Sequence, residues 1–349
     1  MLFLTRRFGV TATDADRAPS REAADIAEIL ERSLALQAKS ANEQKRALGR
    51  GTHVKGVSVR AQFEVFGVTG GRDAALSQRL AKGIFAKPAI YPTLVRFGNA
   101  DPKKNSDFKA DVRSLSFSVE LASDPNIVGG RQDFSMQNAT TLPINDSPAF
   151  LAIMKVLTAS NPAAGLWSLS AKDKLRVFRT LALVQVQAHQ TIKPYQNLRY
   201  WSTVPFRHGP DESVKHSLTP SPDNLASPLQ RKNPNGLRDE LIRHVQEDIK
   251  MSSFDFAVQF VDPQRMTYWG KHQNNKFWIE NASVEWKESE APFHTIGRLT
   301  LLSKSVLEPD DATYIDVTGH STPDSTPVGS INRARSPAEH ASRKARMLK

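Results

Sequence analysis

The sequence predicts an α+β protein built on an antiparallel β-barrel with helices packed outside it. The strongest observation is the alternation of apolar and polar residues in Val57–Val65 and again in Val112–Leu121, which is typical of half-buried strands. The second is element order, since roughly seven or eight strand candidates fall into two groups on either side of a helical stretch at 147–189. Two runs of strands separated by one helical insertion favour such a barrel.

The N-terminal part carries one predicted helix. Ser20 is a suitable N-cap, and the helix is expected to run from it to about Ser40. Its apolar residues share one helical face: Ile26, Ile29, Leu30 and Leu34. We expect residues 1–46 to form an arm with this helix. Residues 47–349 would then form the barrel core with its helical insertion and a C-terminal helix.

The first group of strands continues with Thr93–Phe97 and ends with Val112–Leu121. The helical stretch that follows divides into two helices, one starting at Ser147-Pro148 and one running from Ala171 to Ala188. Proline suits the first position of a helix because its missing N–H would have no helical partner there.

The second half of the chain has a more mixed pattern. Its strand candidates share high β-propensity and flanking turn residues: Leu198–Val204, Ser213–Leu218, Phe254–Val261 and Gly297–Leu302. The first two would form a hairpin or lie as neighbours. A helix is predicted from about Asn235 to Lys250, an extended loop over 309–330, and a short helix from Ser336 to Lys349.

Composition narrows the possible chemistry. The 349 residues include no cysteine, which excludes disulfides, thiolate catalysis and iron–sulfur clusters. The net charge is +11, and a basic balance can indicate a nucleic acid or an anionic membrane as partner. Because the Lys and Arg residues are scattered and no nucleic-acid module accompanies them, we expect no nucleic-acid partner. Solubility and a few arginines for an anionic ligand explain the charge better.

The sequence also bears on location. No apolar run approaches the roughly 18 residues that suggest a membrane span. The apolar stretch at the start is too short for a secretory signal, and arginines soon follow it. We therefore expect a cytoplasmic protein without a membrane span.

The candidate for acid/base chemistry is His53. It lies two residues after a glycine and enters the first alternating strand, in the heptad Arg50-Gly51-Thr52-His53-Val54-Lys55-Gly56. A histidine at the mouth of a strand, with an arginine three residues before it, has the residue types that proton transfer needs. Taken alone, a histidine at a strand start is usually an ordinary polar residue.

The heptad resembles the segment of haem catalases that carries their distal histidine, and the resemblance covers about residues 47–346. Further blocks follow in the same order: Asp111–Arg113, Asp133–Asn138 with Asn145–Phe150, Ser283–Phe293 and Pro327–Arg335. The last two are similar to the short catalase-related haem proteins in particular. The resemblance implies a minimal catalase-like barrel, haem b as cofactor, hydrogen peroxide or an organic hydroperoxide as substrate, and possible self-association.

The resemblance also implies roles for individual residues. His53 matches the distal acid/base, and Asn138 or its neighbour Gln137 matches the amide that helps to hold peroxide. An ungapped count favours Gln137, whereas the pattern of the short members favours Asn138. The residues expected around the haem are Arg50, Thr52, Arg96, Arg113, Phe150, Arg335 and Arg346. Among these, Arg50, Arg96 and Arg346 would pair with propionates, and Phe150 would pack on the haem face.

Position 339 departs from the family pattern. Catalases have Arg-x-x-x-Tyr, with the tyrosinate on the iron, but here Arg335 is followed by Glu339 and no tyrosine follows Tyr314. Ser336-Pro337-Ala338-Glu339 has the pattern of a capping box, which would explain the glutamate without a metal. Glu339 is nevertheless the expected metal ligand, with His340 as a second candidate, about 100° around the helix.

Three functions remain open at this point. The first is a haem-dependent enzyme of the catalase or peroxidase type, with Glu339 or His340 as the substitute ligand. The second is a catalase-fold protein that has lost haem ligation and serves as a non-catalytic binding protein. The third is a metal-free enzyme that uses His53 as a base. The distal residues favour the first, and the missing tyrosine favours the second.

Overall fold

A computed structural model describes residues 22–43, 45, 51–67, 73–121, 130–307 and 315–347. Its strands, in chain order, are β1 (Gly56–Val65), β2 (Ala89–Asn99), β3 (Arg113–Glu120), β4 (Arg131–Gln137), β5 (Tyr200–Trp201), β6 (Phe206–His208), β7 (Glu212–Pro220), β8 (Ser252–Phe260), β9 (Thr267–Tyr268), β10 (Lys271–His272) and β11 (Phe293–Leu307). The helices are α1 (Glu22–Glu43), α2 (Ala74–Leu80), α3 (Ser147–Thr158), α4 (Pro162–Trp167), α5 (Ala171–Ala188), α6 (Gly236–Ile242), α7 (Asn275–Glu280) and α8 (Ser330–Met347).

Eight antiparallel strands of the described residues close into a barrel. They follow the order β1-β2-β3-β4-β5-β7-β8-β11, and β11 pairs with β1 to complete the ring. Strand β6 pairs with the first residues of β7, before those that pair with β5, and β9 and β10 form a separate ribbon. The predicted α+β class, an antiparallel barrel with surrounding helices, is therefore confirmed.

Alternating residues of the strands fill the barrel. In β1 the inward side chains, including Val59 and Phe63, are fully buried, whereas the residues between them in the second half are exposed. Phe63 meets phenylalanines from three other strands, and two of these, Phe117 and Phe134, stack with ring centroids 4.6 Å apart. Offset aromatic pairs of this kind add to the free energy gained from burying apolar area.

The predicted helical insertion forms three helices instead of two. Asp146 caps α3 by accepting from the Ala149 N–H, and Ser170 caps α5 by accepting from the Asp173 N–H. Between them, Asn161 caps the short helix α4. Each start therefore has a side-chain acceptor for a backbone N–H that lacks a helical partner.

The C-terminal helix begins earlier than the sequence predicts. It starts at Ser330 instead of Ser336, so Pro337 lies inside α8 and the predicted capping box at Glu339 is wrong. Tertiary contacts explain the early start. The Ser330 hydroxyl donates to the buried Glu22 carboxylate of α1, and Arg333 pairs with both Glu22 and Glu280 at 2.8 and 2.7 Å.

Other predicted boundaries also shift. The strand predicted at Leu198–Val204 shrinks to β5, and the helix predicted at Asn235–Lys250 ends its α-helical part at Ile242 and continues as a π-helical turn over Arg243–Glu247. The predicted arm before Glu22 lies outside the described residues.

Candidate functional site

The residues matched to the distal side meet at one end of the barrel. His53 precedes β1, Gly98 lies near the end of β2, Ser114 lies near the start of β3, and Asn138 follows β4. Ser114 pairs with Gly98 on one side and with Gln137 on the other. Antiparallel pairing therefore gathers these positions at a single rim of the barrel.

His53 is held by a defined hydrogen bond. Its Nδ1 lies 3.0 Å from Ser114 Oγ, and the same hydroxyl donates to the Gly98 carbonyl at 3.2 Å. A serine hydroxyl has one proton, so when that proton goes to Gly98 the oxygen can only accept from His53 Nδ1–H. A neutral imidazole with its proton on Nδ1 has a lone pair on Nε2. This arrangement sets up Nε2 as a proton acceptor.

The backbone at His53 is in the left-handed region, with φ of 54°. For a residue other than glycine this conformation is uncommon and needs support from its surroundings. Arg96 provides it, because its Nη2 donates to the His53 carbonyl at 3.0 Å. The guanidinium is 5% exposed and fills the space that glycine leaves at Gly56 and Gly98; a Cβ at Gly56 would lie 2.6 Å from Nη2.

The amide of Asn138 is also fixed in place. Its Oδ1 accepts from the Arg113 N–H at 2.7 Å, and its Nδ2 donates to Gln190 Oε1 at 3.3 Å. An amide nitrogen carries two protons, so this geometry commits one of them to Gln190. Asn138 is buried, whereas Gln137, which lies directly opposite Ser114, is half-buried, and the choice between the two amides stays a prediction.

Arg113 is engaged within its own loop. Its Nη2 donates to the carbonyls of Asp107 and Lys109, at 2.6 and 3.1 Å, and its Nη1 lies 3.4 Å from Asp111. These contacts anchor the loop before β3, so Arg113 has a structural task at this rim. Its predicted role at a cofactor stays a prediction.

The residues matched to the proximal side lie on α8. Arg335 Nε is 3.1 Å from Glu339 Oε1, an ion pair one helical turn apart. Desolvation by surrounding protein raises the pKa of Glu339, Arg335 partly offsets that rise, and Asp316 adds to it. The carboxyl side chain is nevertheless 45% exposed, so solvent reaches it.

The other predicted residues near α8 have different surroundings. The His340 side chain is 74% exposed, and its Nδ1 lies 3.6 Å from Asp316. Phe150 of α3 is half-buried and packs against clusters that contain Ile331 and Ala334 of α8. Arg346 is half-buried in the last turn of α8, and Thr52 is exposed. Arg50 lies outside the described residues.

Helix α1 connects the two sets. A Cβ at Gly51, two residues before His53, would lie 3.8 Å from Gln37 of α1. The Gln37 amide donates to the Ser342 carbonyl of α8, less than one turn beyond Glu339, at 3.3 Å. The loop of His53 and the helix of Glu339 therefore adjoin the same segment of α1.

The sequence does not single out the two residues that contact His53 and Asn138. Ser114 belongs to an alternating strand, and alternation alone does not show that its hydroxyl reaches His53. Gln190 follows the end of α5, and its contact with Asn138 joins positions 52 residues apart. Neither residue carries a local signal, because both roles depend on how the strands close.

Comparison of the sequence with protein-family models and with curated proteins gives no match. The structure, in contrast, is similar to catalases. A fungal catalase matches with a TM-score of 0.61 at 13% identity, over 87% of this chain and 59% of that chain. Catalase A from Saccharomyces cerevisiae matches with a TM-score of 0.59 at 13% identity, over 87% of this chain and 61% of that chain. A bacterial catalase matches with a TM-score of 0.55 at 11% identity, over 88% of this chain and 59% of that chain. The chain has the catalase fold and spans about three fifths of the length of these enzymes.

Proposed function

We propose that the protein is a haem-dependent enzyme of the catalase or peroxidase type that decomposes hydrogen peroxide or an organic hydroperoxide. The observation that carries the proposal is the hydrogen bond between His53 Nδ1 and Ser114 Oγ, which keeps the imidazole proton on Nδ1 and so makes Nε2 the basic nitrogen. The catalase fold supports it, because the family keeps its distal histidine in the matching heptad.

The residues of this chain fit a haem on the distal side. His53 and Asn138 lie at one rim, with Arg96 beneath the histidine loop. On the other side, Glu339 offers a carboxylate oxygen in place of a phenolate, and the guanidinium of Arg335 favours its charged form. Arg50, Arg96 and Arg346 are the residues proposed to pair with propionates. Bound haem would supply the two electrons needed to split the O–O bond of the peroxide.

The chain itself would handle the proton. We expect His53 Nε2 to take the proton from one peroxide oxygen and to return it to the other as the O–O bond breaks. The N–H of Asn138 that does not donate to Gln190 would orient the peroxide. Ser114 would keep His53 in one tautomer and one orientation throughout the transfer.

Titration with haemin tests the proposal. We expect a saturable Soret band at one haem per chain, oxygen release from hydrogen peroxide, and measurable consumption of an organic hydroperoxide. Comparing the two substrates would show which the site prefers. Absence of saturable haem binding would refute the proposal.

Replacing Glu339 with tyrosine restores the family ligand. If haem binds beside α8, Glu339→Tyr should shift the visible spectrum toward that of a ferric tyrosinate and raise peroxide turnover, because phenolate donates more strongly to ferric iron. His340→Tyr is the matched control, since His340 is 74% exposed and faces Asp316, so its spectrum should not change. An unchanged spectrum in Glu339→Tyr would show that position 339 does not face the iron.

The second candidate is a catalase-fold protein that binds a ligand or partner without catalysis. The glutamate at position 339 favours it, because catalases carry their tyrosinate ligand at the matching position. The same titration separates the two candidates, since this protein would give no saturable Soret band and no peroxide turnover.

A further inference from the structure

Helix α5 shows an apolar face to solvent. Its inner side is anchored by buried Val177, Thr180 and Gln187. On the opposite side Leu175 is 70% exposed and Phe178 is 55% exposed. Leu181 and Val186 extend this outer face, and together the four form the apolar stripe of α5. Contiguous exposed apolar surface on a folded domain commonly marks an interaction site.

Basic residues border the apolar stripe. Lys172 and Arg179 are exposed beside it, and Lys174 lies 5.1 Å from the ring of Trp167, which is 74% exposed at the end of α4. Between positions 159 and 197 the sequence has five Lys or Arg residues and one acidic residue, Asp173. Asp173 is already paired with Arg176 at 2.7 Å. The border of the stripe is therefore strongly cationic.

The charge pattern limits what can cover this face. A second copy docking through the same face about a two-fold axis would bring two basic borders together, and like charges across an interface are unfavourable. An acidic partner removes that repulsion. The outer face of α5 is convex and forms no groove. A convex face suits a deformable partner that can close around it. This surface has leucine and phenylalanine between lysines and a tryptophan at its edge. Helices that lie in a lipid interface have this composition.

We infer that the outer face of α4 and α5 binds an anionic lipid surface. The apolar stripe enters the boundary between headgroups and acyl chains, and Lys172, Lys174 and Arg179 meet anionic headgroups. Binding is peripheral, since none of the described helices is long and apolar enough to cross a membrane. The inference is independent of haem and of peroxide turnover.

Vesicle flotation tests the inference with the full chain. We expect binding to phosphatidylcholine vesicles containing about a third phosphatidylglycerol, weak binding to pure phosphatidylcholine, and release by high salt. Leu175→Ser/Phe178→Ser should weaken binding about tenfold or more. Lys172→Gln/Lys174→Gln should do the same at low salt. Three of the four side chains are exposed and Lys174 is half-buried, so circular dichroism should show an unchanged fold.

Matched controls carry the same substitutions elsewhere. Leu225 and Trp269 are 72% and 88% exposed outside this face, and Leu225→Ser/Trp269→Ser should bind vesicles like the parent. Lys103→Gln/Lys104→Gln is the control for charge. No flotation with anionic vesicles would overturn the inference. So would equal binding to pure phosphatidylcholine, or a dimer in solution that Leu175→Ser/Phe178→Ser dissociates.

Discussion

Replacing His53 with alanine is expected to reduce peroxide turnover by roughly 10²- to 10⁴-fold while haem stays bound. The reason is that the imidazole would carry the proton between the two peroxide oxygens, whereas no haem contact is assigned to it. Turnover is measured as initial oxygen release at saturating haem, and retention of haem as the unchanged stoichiometry of the Soret titration. Retained turnover would refute the acid/base role of His53.

Substitutions of two serines in β3 test whether the hydrogen bond to His53 matters for turnover. Ser114→Ala removes the acceptor of His53 Nδ1–H, so turnover should fall, but less than in His53→Ala, because the imidazole itself remains. Ser116→Ala is the matched control. Its hydroxyl lies two residues further along β3, 3.3 Å from Ser135 Oγ, and turnover should not change.

Replacing Asp107 with alanine is expected to lower the free energy of unfolding by about 3–5 kcal/mol. The Asp107 carboxylate is fully buried and lies 2.7 Å from Lys55 Nζ, which is itself 8% exposed. It also accepts from Asn99 Nδ2 at 2.8 Å and from the Leu237 N–H at the start of α6 at 2.9 Å. Removing it leaves a buried ammonium group without its counter-charge and an amide without its acceptor.

Urea unfolding followed by tryptophan fluorescence measures this loss. Asp255→Ala is the matched control, because Asp255 also forms a close ion pair, 3.0 Å from Arg298, but both of these side chains are about half exposed. Its effect should stay below about 1 kcal/mol, since solvent screens the pair. Equal losses in the two variants would contradict the structural importance of the Lys55–Asp107 pair.

The barrel could be predicted where local pattern and tertiary burial agree. Val57–Val65 alternates because one side of β1 faces the core, and the structure buries those positions. Prediction failed where long-range contacts set the boundary. Ser330 starts α8 through Glu22, a residue 308 positions away, and no local pattern contains that partner.

The candidate site divides in the same way. The heptad around His53 is contiguous, so the sequence alone singles it out. The sequence does not single out Ser114, because its contact with His53 depends on the pairing of β3 with β2. Alternation within a strand does not show which hydroxyl reaches a neighbouring loop. Arg113 is singled out by its resemblance to a catalase position. That resemblance does not indicate that its guanidinium binds the carbonyls of Asp107 and Lys109.

Because strand β5 has only two residues, the barrel should open more easily at the β4–β5 junction than between its longer strands. Strands β1 and β2 pair from Gly56 to Val65, whereas among the described residues β4 meets β5 through the single pair Gln137 and Trp201. Local fluctuations open the least hydrogen-bonded junctions first, so amide hydrogen exchange should be fastest along this one. Asn138 is the next residue after Gln137. Local opening of this junction would therefore reach Asn138 before it reaches His53, which lies just before the long β1–β2 pairing.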